Sequence, residues 1–277
     1  MEHLSHLFKE FSFRPRKSAG QNFLVDGAVL DRISQAVQCP EGDALLEVGG
    51  GTGAFTERLA QKGRPLTVVE SDRRLFAMLD RRFGQTPGVA LVKADILKMD
   101  LETLKPPAPG QITVAGNIPY FLTTPLMTRL LSRYHPFIRR AFLMVQREVA
   151  ERLGAEPGTK AYGALTLCAQ YYARFRKLVD VKARCFKPSP KVDSAFIELE
   201  MKPSLPLAGE AETRFFALVR AVFQSRRKVI TNSLKILGKP RGEAQAALEK
   251  AGIDPKIRGE ELSMEKLIEL SQALEGA

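Results

Sequence analysis

Cysteine and histidine are scarce, three of each among 277 residues. Cys39, Cys168 and Cys185 are odd in number and far apart, without the paired spacing that a zinc site or a disulfide framework needs. They read as reduced core thiols. His3, His6 and His135 form no ligand cluster either, because two of them fall at the very start of the chain. No metal is expected. There is no uncharged apolar run long enough to cross a bilayer, and no N-terminal apolar core followed by a cleavage site, so a soluble cytoplasmic protein without a membrane partner is expected. Internal repeats and low-complexity tracts are absent as well.

Acidic residues are outnumbered by basic ones, 31 against 42, which gives a formal charge of +11 and a sequence pI near 9.7. That imbalance points to a polyanionic partner. It is uneven: from Arg139 to Lys191 twelve basic residues face four acidic ones, whereas residues 202–277 carry thirteen against ten, with one cluster at Arg226-Arg227-Lys228. A solvated face explains any single charge run. Aromatics in the same stretch, Tyr171, Tyr172, Phe175 and Phe186, favour nucleic acid over an anionic membrane surface. With 44% apolar residues the chain can bury a real core, in one large domain or two moderate ones.

Short apolar runs alternate with amphipathic stretches, the pattern of a parallel α/β sheet. Strands are expected at residues 45–48, 66–69, 89–93, 112–115 and 141–145, and helices at 54–62, 72–83 and 147–153. Thr124-Pro125 marks the expected start of another helix, a polar cap followed by proline. Residues 178–181 and 195–201, separated by a proline-rich connection, read as an antiparallel pair on the sheet edge. Helices follow near 213–224, 226–237, 243–251 and 262–273. The expected organisation is a basic arm (1–20), a Rossmann-like α/β domain (21–201), a proline-rich linker (202–209) and a small all-helical binding and positioning domain (210–277).

Polar or acidic residues close successive strands, where open parallel sheets bind their ligands. The first strand ends in Glu47-Val48-Gly49-Gly50-Gly51-Thr52-Gly53, whose glycines permit a tight turn and close approach of a ligand to the backbone. Thr56 stands where a dinucleotide fingerprint has its third glycine, and no Gly-Lys-Ser/Thr follows, so the nicotinamide and phosphate-loop readings fail. Glu70, after the second strand, is placed to accept both ribose hydroxyls of an adenosyl ligand. Asp95, after the third, is placed to accept from its adenine amine. Glu47 is expected to hydrogen-bond loop amides and order the turn. The fourth strand leads into Asn117-Ile118-Pro119-Tyr120. An exocyclic adenine amine is a poor nucleophile, because its lone pair is delocalised into the ring. An Asn carbonyl and a backbone carbonyl on a rigid proline turn can hold its hydrogens, and the Tyr offers a face for a base that has left its helix. The glycine turn and this tetrapeptide together point to methyl transfer to a planar amine.

The pattern Glu-x-Gly-x-Gly-x-Gly resembles the first motif of class I S-adenosylmethionine methyltransferases. With Gly20-Gln21-Asn22-Phe23-Leu24, Asn117-Ile118-Pro119-Tyr120, the segment Phe186-Lys187-Pro188-Ser189-Pro190-Lys191-Val192-Asp193-Ser194 and Phe223-Gln224-Ser225-Arg226-Arg227-Lys228, the ordered set resembles the KsgA/RsmA family of bacterial small-subunit rRNA adenine N6-dimethyltransferases. The likeness runs over most of the chain. It implies S-adenosylmethionine as cofactor, S-adenosylhomocysteine as product, and N6,N6-dimethyladenosine made in the 16S rRNA of an immature small subunit by a monomer. At matching positions it implies that Asn22, Leu24, Gly49, Gly51, Glu70, Asp95 and Asn117 border the cofactor. Asn117 and the Ile118 carbonyl, on the Pro119 turn, then hold the amine, and Tyr120 and Phe186 cover the two faces of the flipped adenine. Arg14, Arg16, Lys17, Arg147, Lys187, Lys191, Arg226, Arg227 and Lys228 become candidate RNA contacts. Two alternatives are the macrolide-resistance (Erm) type of large-subunit 23S rRNA methyltransferase, which shares the adenine chemistry, and a non-catalytic ribosome-assembly factor on the same fold. Residues 186–194 and 223–228 look closer to the small-subunit family, and an assembly factor predicts an eroded pocket where the residues here are intact.

Overall fold

A computed structural model describes residues 11, 13–16, 20–226 and 228–275. The chain divides into two units: one runs to Ala150 and resumes over Ala173–Met201, and the other comprises Glu151–Tyr172 and the residues from Lys202 on. Most of the expected basic arm, Lys17 included, lies outside the described residues, as does Arg227.

In the first unit the strands are β1 (Phe23–Leu24), β2 (Ala44–Val48), β3 (Leu66–Glu70), β4 (Val89–Lys93), β5 (Ile112–Gly116), β6 (Ile138–Gln146), β7 (Ala173–Val181), β8 (Phe186–Lys187) and β9 (Ser194–Met201). Its helices are α1 (Gly27–Ala36), α2 (Ala54–Ala60), α3 (Arg73–Phe83) and α4 (Tyr120–Ser132). Seven strands form one sheet in the order β4-β3-β2-β5-β6-β9-β7, parallel from β4 through β6, with β9 antiparallel between β6 and β7. Leu45 to Val48 are all buried, as a central parallel strand covered on both faces requires. Leu30, Ile33, Leu59, Leu79, Phe142 and Phe196 belong to one core cluster. From β2, β3 and β5 lead off in opposite directions, so a crevice opens at the carboxyl ends of β2 and β5. β1 and β8 pair apart from this sheet, with Phe23 opposite Lys187 and Leu24 opposite Phe186.

Three local expectations change. α4 starts at Tyr120 and not near Thr124, because Pro119 at its cap fixes φ at −55°, and Pro125 is taken inside the helix. α1, which the apolar pattern did not signal, begins where Asp26 accepts the Val29 N–H at 3.1 Å. β7 begins at Ala173 rather than 178, since outward Arg174 and Arg176 hide the alternation of a half-buried edge strand, and Arg176 bonds the buried Glu198 of β9 at 2.8 Å.

The second unit is helical. α5 (Arg147–Leu153) runs into it along the chain, and α6 (Ala164–Tyr172), α7 (Gly209–Gln224), α8 (Ile230–Ile236), α9 (Arg241–Lys250) and α10 (Met264–Ala273) complete it. Its core holds Phe215, Leu218, Leu234, Leu248, Leu267 and Leu270. Residues 151–172 interrupt the expected 21–201 domain for a packing reason: Tyr171 stacks on Phe215 at 5.3 Å and Tyr172 on Phe216 at 5.5 Å. These two tyrosines, counted in the sequence among nucleic-acid aromatics, are core residues. Nor is 202–209 a free tether. The Lys202 N–H donates to the Tyr172 carbonyl at 2.9 Å, and the Tyr171 hydroxyl donates to the Leu207 carbonyl at 2.8 Å.

Candidate functional site

The crevice holds a cavity of about 370 Å³ walled by the glycine turn, Glu47, Glu70, Asp95 and residues 117–122. That volume is in the range of small-molecule sites. Gly51, with φ +58°, donates its N–H to Glu70 Oε2 at 3.0 Å, while the Asp72 N–H reaches Glu70 Oε1 at 2.8 Å. Glu70 thereby ties the turn to the start of α3 and keeps lone pairs for a ligand. A methyl group on Gly50 would meet Val68 at 2.5 Å and Leu79 at 2.8 Å, so the α-carbon of that glycine answers to helix–sheet packing.

The expectation that Glu47 orders the loop amides is corrected. The turn folds over the end of β3, so the acid within reach is Glu70. Glu47 is 1% exposed inside β2, and its Oε2 has no hydrogen-bond partner. Burial pushes the Glu47 carboxyl up to about 8, with the Thr56 hydroxyl moderating the shift and the Glu70 charge adding to it. Burial also raises Glu70, against the N–H groups of Asp72, Gly51 and Ser71. Asp72 goes the other way: its partial burial is outweighed by the N–H groups of Arg74 and Leu75 and by the Arg16 guanidinium, which hold it below the usual carboxylate range.

Asn117, Ile118, Pro119 and Tyr120 all line the cavity, with Asn22, Leu24, Gly49, Gly51, Glu70 and Asp95. Asn117 Nδ2 donates to the Asn22 carbonyl at 3.3 Å, which leaves the amide oxygen as the acceptor end. The Ile118 side chain is buried, so its polar offering is the backbone. The Tyr120 hydroxyl meets Ser194 Oγ at 2.7 Å, and this bond fixes the ring. The sequence places Ser194 at the end of segment 186–194 but carries no local signal for this contact. Phe121, 63% exposed at the cavity wall, is a further lining residue whose signal in the sequence is its place directly after Tyr120. Phe186 is not brought to the wall: at 4% exposed it packs in the core with Leu24 and Val181, so the expected second face for a base is not supplied by its ring in this structure.

The candidate RNA contacts divide as well. Arg16 lines the cavity and pairs with Asp72 at 2.7 Å, and Gln21 accepts its backbone N–H at 2.9 Å. Arg226 is engaged by Glu260 and donates to the Thr159 carbonyl at 3.0 Å, a strut within the helical unit. Arg147 lies 3.7 Å from Asp193. Arg14, Lys187, Lys191 and Lys228 are exposed. Among the described residues no group of three or more His, Cys, Asp or Glu side chains could hold a metal ion, and no helix is long and apolar enough to cross a membrane.

Comparison with known proteins follows the same lines. A family model described as "Ribosomal RNA adenine dimethylase" matches residues 12–275. The chain is 42% identical to "Ribosomal RNA small subunit methyltransferase A" of Shouchella clausii, over 97% of this chain and 92% of that one. It is 40% identical to the protein of the same name from Moorella thermoacetica, over 97% and 96%. Among solved structures, a dimethyladenosine transferase from Plasmodium falciparum superposes with a TM-score of 0.76 at 25% identity, covering 90% of this chain and 95% of that one. The 23S rRNA methyltransferase ErmE superposes with a TM-score of 0.69 at 30% identity, covering 92% and 100%.

Proposed function

Because this chain belongs to the ribosomal RNA adenine dimethylase family, we infer that it transfers methyl groups from S-adenosylmethionine to the N6 amine of adenines in small-subunit rRNA, giving N6,N6-dimethyladenosine. The cavity suits that cofactor. A methyl group on Gly49 would find no atom nearer than 3.9 Å, which leaves room for a ligand against the backbone. Glu70 and Asp95 offer acceptors at two strand ends, and a buried carboxylate oxygen of Glu47 lacks a partner that a cationic ligand can supply. When bound, S-adenosylmethionine supplies an electrophilic methyl group and is left as the neutral thioether S-adenosylhomocysteine. Asn22, Leu24, Gly49 and Gly51 border it, Glu70 serves the ribose hydroxyls, and Asp95 serves the adenine amine.

The observation that carries the reading is Asn117, whose amide nitrogen is committed to the Asn22 carbonyl so that its oxygen is presented as an acceptor. With the Ile118 carbonyl it holds both hydrogens of the target amine and draws the nitrogen out of the ring plane, toward the geometry of attack. Such positioning, with acceptors stabilising the developing positive charge, supplies catalysis without a covalent intermediate or a metal. The surplus proton leaves for solvent after transfer, when its acidity has risen, so Asn117 is a positioner and not a base. Tyr120 stacks on the flipped adenine. Phe186, opposite Leu24 in the β1–β8 pair, backs the wall from the core. We place the reaction on an immature small subunit in the cytoplasm, carried out by a monomer.

The test is single-turnover methylation of undermethylated small-subunit particles at saturating cofactor. Asn117→Ala should lower the rate by on the order of a hundredfold, the loss typical of misplaced reactants, with RNA binding kept within about twofold. A near-wild-type rate overturns the role of Asn117. Activity confined to protein-free large-subunit rRNA would instead favour the 23S-directed reading, and particle binding without methylation of either would favour an assembly factor.

A further inference from the structure

Glu47 sits in the wall of the cofactor cavity, and among the described residues no cation is placed to balance its charge. Its strand neighbours are Val68 of β3 and Ala115 of β5, both apolar. α2 contributes the neutral Thr56 hydroxyl, which moderates the carboxyl without balancing its charge, and the end of β3 contributes a second acid, Glu70. Asp72 and Asp95 line the same cavity, and Arg16, the one basic residue among the described residues of its wall, is committed to Asp72 at 2.7 Å. A carboxylate buried in such company is costly, and the group avoids the cost by keeping its proton. The elevated pKa of about 8 follows the same geometry. A ligand that carries positive charge into the cavity removes the reason for that proton.

We propose that Glu47 gives up its proton when S-adenosylmethionine enters and regains one when the cavity empties, so that the site adjusts its own charge to that of its ligand. The proposal rests on the cofactor reading above. The step is a single ionisation: the carboxyl O–H breaks, the proton goes to bulk water, and no bond to the ligand forms and no electron moves. The sign is fixed by linkage. At about pH 7 the free protein holds the proton, and binding that draws the carboxyl below that pH expels it; at about pH 9.5 the carboxyl is already ionised and nothing is expelled. Cofactor affinity accordingly rises from about pH 6 to 8 and levels off above. Glu47 is here a specificity-determining group. It favours a cation over a neutral ligand of the same shape.

Calorimetric titration of the full chain at about pH 7, in phosphate and in Tris, reads proton release from the difference in heats, because the two buffers differ in ionisation enthalpy. Release of close to one proton per S-adenosylmethionine is expected, falling to near zero in Glu47→Gln. Any proton exchanged by the ligand's own amino group is common to both proteins and drops out of the comparison. S-adenosylhomocysteine keeps the ammonium but lacks the sulfonium, and 5′-methylthioadenosine has neither. Release with the first assigns the trigger to the ammonium, and release with S-adenosylmethionine alone assigns it to the sulfonium; both outcomes support the proposal. Equal release with 5′-methylthioadenosine, release undiminished in Glu47→Gln, or no release at all overturns it. Should the variant not fold, the wild-type chain still decides, since release that persists unchanged at about pH 9.5 overturns the proposal. A chain that does not bind S-adenosylmethionine refutes the cofactor reading instead.

Discussion

Asn117 and Tyr120 stand at the two ends of one turn, and each is held by a residue distant in sequence. The Asn22 carbonyl orients the amide and the Ser194 hydroxyl anchors the ring, across separations of 95 and 74 residues. Tyr120→Ala should cost about 1–3 kcal/mol of target-base stacking, read as a higher RNA concentration for half-maximal activity with cofactor affinity unchanged. Ser194→Ala leaves the face in place and only frees it, so its effect should be the smaller of the two; an equal effect would show that the anchor matters more than the stack. Glu70, Asp95 and Asn117 were legible in the sequence because a strand-end position can be counted off an apolar run. Their partners were not, because a hydrogen bond between segments so far apart depends on tertiary packing that no local pattern encodes. Glu47 was misassigned for the same reason: its neighbours in the sequence are loop amides, but its neighbours in space are Val68, Ala115 and Thr56. Its raised pKa also has a consequence for stability. Between about pH 4.5 and 8 the folded protein binds this proton and the unfolded chain does not, so stability falls as pH rises through that window. In Glu47→Gln that component is missing, and the melting temperature of the ligand-free protein should decline less steeply between about pH 5 and 8 than in the wild type; parallel profiles would place the buried proton elsewhere.

At the scale of elements, the turn after β2 joins two requirements that the sequence presents as one motif. Gly51 gives its amide to Glu70, while Gly50 is the spot where Leu79 of α3 and Val68 of β3 come against the backbone. Gly50→Ala should therefore lower stability by about 1–3 kcal/mol, as overpacking does, through a shift of α3 that weakens cofactor binding only indirectly. Denaturant unfolding measures the first effect, and saturating cofactor should restore activity; a stable variant that cannot bind would mean that Gly50 faces the ligand after all. β2, β3 and β5 were readable because each is a largely buried apolar run closed by glycine or acid, and β4 and α5 fell where the pattern placed them. The misread elements share a physical cause. Pro119 and Pro125 both suit a helix start, and only the geometry of the turn decides that α4 begins at the first. β7 is basic on its outward side, so alternation in its apolar residues is masked. Residues 151–172 carry no composition break, and their place in the helical unit follows from Tyr171 and Tyr172 stacking on Phe215 and Phe216, a pairing visible only once both segments are folded.

For the molecule as a whole, charge counted along the sequence overstates charge available to a phosphate backbone. Within the strongly basic stretch Arg139 is held by Asp43 at 2.5 Å, Arg140 by Glu200 at 2.8 Å, Lys177 by Asp180 at 3.1 Å and Lys182 by Asp193 at 3.0 Å, and Arg176 is paired with Glu198. A guanidinium already balanced by a carboxylate neutralises a phosphate poorly and so releases few of the counterions condensed on RNA, and breaking its pair to reach a phosphate exposes or strands an acid. Asp43 and Glu198 are both about 1% exposed, so for Arg139 and Arg176 that penalty is large. Lys187 and Lys191 stand exposed on the segment that returns from β8 to β9, and the RNA reading gives them the larger share of the electrostatic contact. Replacing both by Gln should reduce the slope of log affinity against log salt by about 1.4–1.8, the value for two lost phosphate contacts, and leave thermal stability unchanged. Replacing Arg139 should do the reverse, with little change in salt slope and a lower melting temperature as buried Asp43 loses its partner. Filter binding of small-subunit rRNA across a salt series, with melting curves of the same proteins, separates the two. If Arg139 moved the slope and the lysines did not, the basic stretch would be meeting RNA through its paired face, and its ion pairs would have to be read as closed gates and not as structural ties.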